Sequence, residues 1–591
     1  MWITAGLMLI LIAAGALADD TSSGFLWRRG DHGYLCAGAE TPLWITLPKE
    51  AFETGRSPVL TIRMDWRIRI VTHGTSGSAF FQPPPLVVPE SITHTEPDVS
   101  GRRTWTLVLP AEVENHASGK GPRMALLCRP RKRMKPGRTR LELSLTGFAS
   151  ATIAIDVLPP LRGITPKRIR VGAFTYAGYD NPRYRAGIVR TSLASGMNDL
   201  MLMHAPPEGQ RTLVEMFRKG GGRTGVVYGW DDRQSIADQF PDARRLDADG
   251  KPIAGKISYC WAFEHREEVV AALAELIRKH NTPRRFDVII NDTEEGALVD
   301  GKAQGDLHSP IAIARFREQA GIADDVELTP ERIAEDYPHE WVDFRCWEST
   351  EWAGLLREAM RVADPTLLAG YYSGYHNAAA KADRTGQPLG TRAGYSTDWE
   401  MLGAAGILDV GSAGYFGGAS DLHQTRRALA GTPFIPGEMH IANFLHYRRV
   451  PPEPETWAYR LMWAVMTGGG EGVWTWYLQV YDAAAFWAHD RVAQVCAAIE
   501  DIVLDGHDIT HQLALPEGLS AGHVFAHRKG TRLSVVVLNP GEAIDAEIRW
   551  RKPIPGAVAR EVLTRESSDA ETGIHVSVPS RGFRAYVVGE K

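Results

Sequence analysis

Asp292, Glu294 and Glu295 fall within four positions at the end of the apolar run Phe286–Asn291, and Gly296 follows. Packed carboxylates repel one another and resist desolvation, so three together call for a reason. One reason is proton chemistry. Burial and like charge raise a carboxyl pKa until it holds a proton near neutral pH, while a second carboxylate stays ionised as nucleophile or base. Glu438 is the candidate for that second group, at the end of Phe434-Ile435-Pro436-Gly437-Glu438. The plainer readings differ. Glu294 and Glu295 would suit the positive end of a helix beginning at Gly296-Ala297-Leu298, and Glu438 would be an exposed loop acid.

Positioning these groups is the task of buried strands. A short apolar run passing into polar residues and glycine reads as a parallel strand entering a loop. From Lys167 such runs recur: Arg168–Thr175, Asp199–His204, Thr224–Tyr228, Phe286–Asn291, Thr366–Tyr372, Leu408–Tyr415, Thr432–Glu438 and Gly472–Trp476. Amphipathic segments such as Arg266–His280, Glu351–Ala363 and Thr456–Met466 lie between them. Eight strand–helix units predict a (β/α)8 TIM barrel, with a doubly wound sheet as the alternative. In a barrel the C-terminal strand ends converge on one mouth, bringing the fourth and seventh strands to the same pocket. The longest insertions follow the third and fourth strands, where binding loops are expected. Gly24 to Pro160 reads as all-β, and β texture returns after Gly506. The expected fold is multidomain α/β plus β: an N-terminal β-sandwich over 19–163, the barrel over 164–506, and a C-terminal β-sandwich over 507–591.

At 591 residues the chain suits two or three domains, and 44% hydrophobic with 23% charged residues is a soluble globular composition. A net charge of -5 speaks against a nucleic-acid binder or a membrane-surface protein. Ala5–Ala16 is apolar and Ala16-Leu17-Ala18 resembles a cleavage site, so residues 1–18 read as a signal peptide and the protein as exported, periplasmic or extracellular. Met1 to Thr4 lacks the usual Lys or Arg. No membrane span is expected after cleavage. The five cysteines are too scattered for a disulfide scaffold, though Cys36 and Cys128 share a predicted domain and could pair. The basic stretch Arg129–Lys135 could meet an acidic polysaccharide; a solvated loop is the plainer reading.

Several motif matches fail on context. Gly220–Gly225 fits GxGxxG but follows a helix and precedes a strand, the wrong order for a phosphate cradle. Gly518–Gly522 fits GxSxG but sits in β texture, without a nucleophile elbow. The sequon Asn291-Asp292-Thr293 lies at an expected pocket floor. There is no HExxH motif and no P-loop, so neither metal nor other cofactor is expected.

With acidic residues at the ends of strands four and seven, Lys167–Asp505 resembles the retaining (β/α)8-barrel glycoside hydrolases, the group that includes β-galactosidases and cellulases. The contiguous Asn-Glu pair usual after strand four is absent: Asn291 is followed by Asp292. The resemblance implies a carbohydrate substrate, with Glu294 or Glu295 as general acid/base and Glu438 as nucleophile. Asn291 and Asp292 would bind sugar hydroxyls or orient the acid. Tyr372, Trp399, Tyr415, Trp474 and Trp476 are candidate stacking platforms, and Tyr176, His204 and His440 candidate sugar ligands; core packing is the plainer reading of any one aromatic. Asp398 and Glu400 compete as acids, although Asp398 or Thr397 would also cap a helix. Two rival readings are a non-catalytic glycan-binding protein on this scaffold and a metal-dependent hydrolase using Asp292, Glu294, Glu295 and His308.

Overall fold

A computed structural model of the chain describes residues 31–53, 55–74, 87–113, 122–148, 150–175, 181–203, 208–228, 231–282, 285–292, 295–374, 390–414, 418–438 and 452–590. The expected signal peptide, residues 1–18, lies outside them.

Eight strands form a closed parallel barrel: β1 Arg170–Thr175, β2 Asp199–Met203, β3 Arg223–Tyr228, β4 Val288–Asp292, β5 Leu368–Gly374, β6 Val410–Gly414, β7 Phe434–Glu438 and β8 Gly472–Thr475. They pair in chain order, and β8 closes on β1. All eight expected strands are present, and the doubly wound alternative falls because the sheet has no edge. Strand alternation sorts the side chains. Val288 and Ile290 of β4 join Phe174, Met201, Val227, Val410 and Ile435 inside the barrel. Ile289 joins Leu200, Leu202 and Val226 in the layer under the helices.

The helices begin where sequence chemistry permits. Asn181 accepts from Arg183 N (3.0 Å) and Tyr184 N (3.2 Å), capping the helix Pro182–Ala194 after β1. Pro338 opens the long helix Pro338–Ala363 before β5. The β3–β4 connection carries a hairpin, Arg244–Leu246 with Pro252–Ile257, and the helices Tyr259–Glu264 and Arg266–Asn281. The β4–β5 connection adds a short hairpin and the helices Pro310–Ala320 and Pro330–Asp336. Together they bury a core of their own, including Cys260, Ala297, Phe316, Trp341 and Phe344.

Before the barrel, a six-stranded and a three-stranded sheet enclose an apolar core that includes Ile45, Leu60, Ile62, Trp105, Leu126 and Leu143. After it, another six-stranded and three-stranded pair encloses Val535, Val537, Ile548, Val576 and Val588. Neither region stands apart from the barrel. Trp44 and Leu127 from the first, and Leu538 and Phe583 from the second, enter the cluster around the barrel helices. Trp44 Nε1 donates to Tyr481 O at 3.2 Å, and Thr191 Oγ1 to Glu40 O at 2.7 Å. Cys36 and Cys128 do not pair. Their strands belong to different sheets, all five thiols are free and buried, and Cys36 Sγ instead donates to Ala483 O.

The helix Ala483–Asp505 also holds the chain entering the barrel. Asp490 accepts from Arg162 N (2.8 Å) and Gly163 N (3.2 Å), and Glu500 from Lys167 N and Arg168 N. Burial raises the Asp490 carboxyl to about 6 against these hydrogen bonds. A carboxyl raised in the folded state adds stability below its unfolded value near 3.8, and that contribution is lost as pH rises through about 6. Asp490→Asn keeps an oxygen for both amides and removes the charge. It should raise the unfolding temperature above pH 6, by an amount equivalent to about 1–3 kcal/mol, and give no gain near pH 4. Thermal unfolding across pH 4–8 reads both.

Candidate active site

The mouth of the barrel is built from the last residues of its strands. Asp292 ends β4 in register with Tyr372 of β5. By alternation it follows Val288 and Ile290 on the interior side. Below this level the interior closes with aromatic rings. Phe174 stacks on Trp476 at 4.1 Å between centroids and 14° between planes, and Tyr372 leans on Trp476 at 5.3 Å. Gly437 of β7 makes room for this layer. A Cβ there would lie 3.0 Å from Ala413 O and 3.2 Å from Tyr372 Cε2. Gly437→Ala should overpack the layer and cost about 1–3 kcal/mol, visible as a lowered unfolding temperature and altered tryptophan emission.

The expected site residues separate on this frame. Asp292 and Tyr372 are register partners at the mouth end of the barrel, and Tyr372 leans on Trp476. Glu438 ends β7 in register with Thr475 of β8; its side chain lies outside the described set. Glu294, Tyr176, His204, Tyr415 and His440 lie outside the described residues.

Two tryptophans are not stacking platforms. Trp474 is fully buried one layer below Trp476 and donates from Nε1 to Asp199 Oδ2 at 3.0 Å. Asp199 in turn holds Arg223 Nε at 2.8 Å, so this layer plugs the N-terminal end of the barrel. Trp399 lies outside β5, edge-on to Tyr371, and donates to Gly374 O at 3.0 Å. Both indoles are spent on structure: Trp474 lies too deep in the interior to reach the mouth, and Trp399 packs on the outer face of β5. Asn291 is buried within β4. Asp398 caps the helix Trp399–Ala405 through Glu400 N and Met401 N and pairs with Arg392. Glu471 precedes β8 at the opposite end of the barrel, where burial raises its carboxyl.

Glu295 has a different setting from the one expected of a proton donor. Its carboxylate accepts from Arg245 Nη1 at 2.8 Å and pairs with Lys256 and with Arg345 Nη2 at 3.4 Å. Arg245 and Lys256 come from the two strands of the β3–β4 hairpin, and Arg345 from the helix Pro338–Ala363. The Glu295 carbonyl accepts from Ser396 Oγ at 2.6 Å, adding the β5–β6 connection. Arg345 also binds Glu348, whose carboxyl burial pushes up. Glu295 thus ties together the segments that wall one side of the mouth, with three cationic donors on its oxygens. Sequence reasoning passes over Arg245, Lys256 and Arg345. Arg245 and Arg345 each lie 50 positions from Glu295, with no local pattern linking them. Among the described residues no group of three or more His, Cys, Asp or Glu side chains is placed to hold a metal ion.

A closed parallel eight-stranded barrel with helices outside it defines the chain as a (β/α)8-barrel protein. No protein-family model matches it, and no curated protein does. It resembles solved structures of glycoside hydrolases at low identity. A β-galactosidase from the psychrophilic Marinomonas ef1 is 12% identical, with 56% of this chain aligned to 60% of that one at a TM-score of 0.40. An α-amylase from Malbranchea cinnamomea is 11% identical over 72% of this chain and 96% of its own, at 0.39. A cycloisomaltooligosaccharide glucanotransferase from Paenibacillus sp. is 8% identical over 96% and 99%, at 0.44. The chain spans 60% and 58% of the length of two β-galactosidases that it matches, that from Marinomonas ef1 and one from Halorubrum lacusprofundi. Among the described residues no helix is long and apolar enough to cross a membrane.

Proposed function

We propose that this chain is an exported glycoside hydrolase that cleaves oligo- or polysaccharides with two carboxylic acids and retains anomeric configuration. One observation carries the reading: acidic residues end β4 and β7, three strands apart around one barrel mouth, above an aromatic-filled interior. Glu438 is the nucleophile and Glu294 the general acid/base. Glu294 is preferred to Glu295 because the Glu295 oxygens are engaged by Arg245, Lys256 and Arg345. Asp292 binds a hydroxyl or orients the acid, and Tyr372 and Trp476 line the floor.

In the first step Glu438 attacks the anomeric carbon. The glycosidic C–O bond breaks, and its electron pair leaves on the oxygen, which takes the Glu294 proton. Water then attacks the same carbon and gives a proton to Glu294. The ester bond breaks and its electron pair returns to Glu438. The flanking two-sheet regions act as accessory β-sandwich domains, over 19–163 and 507–591. Cleavage after Ala18 would leave Asp19 as the first residue of the exported protein, which N-terminal sequencing reads directly.

Wild-type protein incubated with a broad panel of aryl glycosides and polysaccharides tests the activity. Release of aglycone or reducing ends is expected from at least one. Binding without turnover across the panel would reassign the chain as a non-catalytic glycan-binding protein.

A further inference from the structure

The turn Arg131–Met134 joins two strands of the N-terminal region, Arg123–Pro130 and Gly137–Leu145. It is anchored rather than loose. Met134 is buried in the core of that region, Met134 N donates to Arg131 O at 2.9 Å, and Arg131 N to Arg67 O at 2.9 Å. Arg131 lies over the half-buried Trp66 ring, 3.9 Å from its centroid, which fixes the guanidinium plane. Beside it, Arg69 stands directly opposite Arg129 in the strand register. Like charges in that position oppose pairing unless an anion offsets them. Arg129 has Glu40 at 3.4 Å. Among the described residues no acidic side chain pairs with Arg69, Arg131, Lys132, Arg133 or Lys135, and all five are exposed. This concentration of positive charge sits in a chain whose net charge is -5.

We propose that this face binds an anionic polysaccharide, one bearing carboxylate or sulfate groups. The stacked guanidinium presents paired N–H donors suited to either group, and Trp66 adds an apolar ring face beside it. The choice of a polysaccharide over other polyanions rests on the proposed glycosidase reading. The position supports it further. Arg69 and His73 share the strand Ile68–Gly74, roughly 13 Å apart at ordinary strand rise. The His73 carbonyl accepts from Asn181 Nδ2 at 3.0 Å, at the mouth-side start of the helix after β1. The strand that carries Arg69 therefore leads from the patch toward the barrel mouth.

Affinity electrophoresis of the full-length protein tests the proposal, with polygalacturonate and dextran sulfate as carboxylate and sulfate probes. Uncharged dextran and a single-stranded DNA oligonucleotide serve as controls. Retardation by at least one anionic polysaccharide is expected, weakening about tenfold or more between about 0.05 M and 0.5 M NaCl. The variant R131E/K132E/R133E should lose at least about tenfold in affinity, and Trp66→Ala about fivefold at unchanged charge, both with wild-type circular dichroism. Equal binding by the triple variant, no retardation of the wild type, or tighter binding to DNA would each overturn it. Because binding is read without turnover, an inactive protein that still binds polyuronate would sink the hydrolase reading and leave this site standing.

Discussion

Glu295→Gln is expected to destabilise the protein by about 3–5 kcal/mol, because it leaves three cations around a neutral amide in a largely dry setting. Arg345 is fully buried and Arg245 nearly so. One amide oxygen cannot replace a carboxylate bonded to Arg245, Lys256 and Arg345. The hairpin Arg244–Ile257 and the helix Pro338–Ala363 would lose their shared anchor. Local release of the hairpin should precede global unfolding, so limited proteolysis should cut between 244 and 257 in the variant before the wild type is cut at all. Glu400→Gln, on an exposed helix position beyond Asp398, is the control and should shift stability by less than about 0.5 kcal/mol. A Glu295→Gln protein as stable as wild type but without turnover would make Glu295 the proton donor and exclude its role as an anchor.

Glu294→Gln and Glu438→Gln should do the opposite. Each is expected to lower kcat by about 10²–10⁴ while leaving the unfolding temperature close to wild type. The two are separable by leaving group. A dinitrophenolate leaves without a proton, so Glu294→Gln should spare the first step on such a substrate and slow the second, giving a burst of phenolate. Glu438→Gln should show no burst on any substrate. Glu294→Gln should also lose the alkaline limb of the pH profile, since that limb reports deprotonation of the acid. Equal losses by both variants on every leaving group would contradict the division of roles.

The barrel was legible in the sequence because parallel strands buried on both faces leave short apolar runs, such as Leu200–Met203 and Val288–Ile290, that amphipathic helical stretches separate. Capping was legible for the same local reason: Asp398 precedes a helix and caps it. What escaped depends on register and on distant pairing. Trp474 and Trp476 differ by one layer within the barrel. Only the closed sheet shows that the lower indole is tied to Asp199 while the upper one joins Phe174 and Tyr372. Glu294 and Glu295 are neighbours in sequence, but the partners of Glu295 come from an insertion hairpin and a long helix that no periodicity connects to it. The fold was therefore readable from local pattern, and the part Glu295 plays only from three-dimensional contacts.

In the proposed mechanism, carboxylates at the ends of β4 and β7 act on one anomeric carbon, with Glu438 forming the covalent bond. Incubation with a 2-deoxy-2-fluoro glycoside bearing an activated leaving group, chosen to match the sugar the wild type hydrolyses, tests it most directly. The fluorine slows both steps and the activated leaving group restores the first, so the intermediate accumulates. One added sugar per chain is expected, located by peptide mass spectrometry on Glu438 and absent from Glu438→Gln. Labelling of any other carboxylate, or complete turnover with inversion and no label, would contradict it.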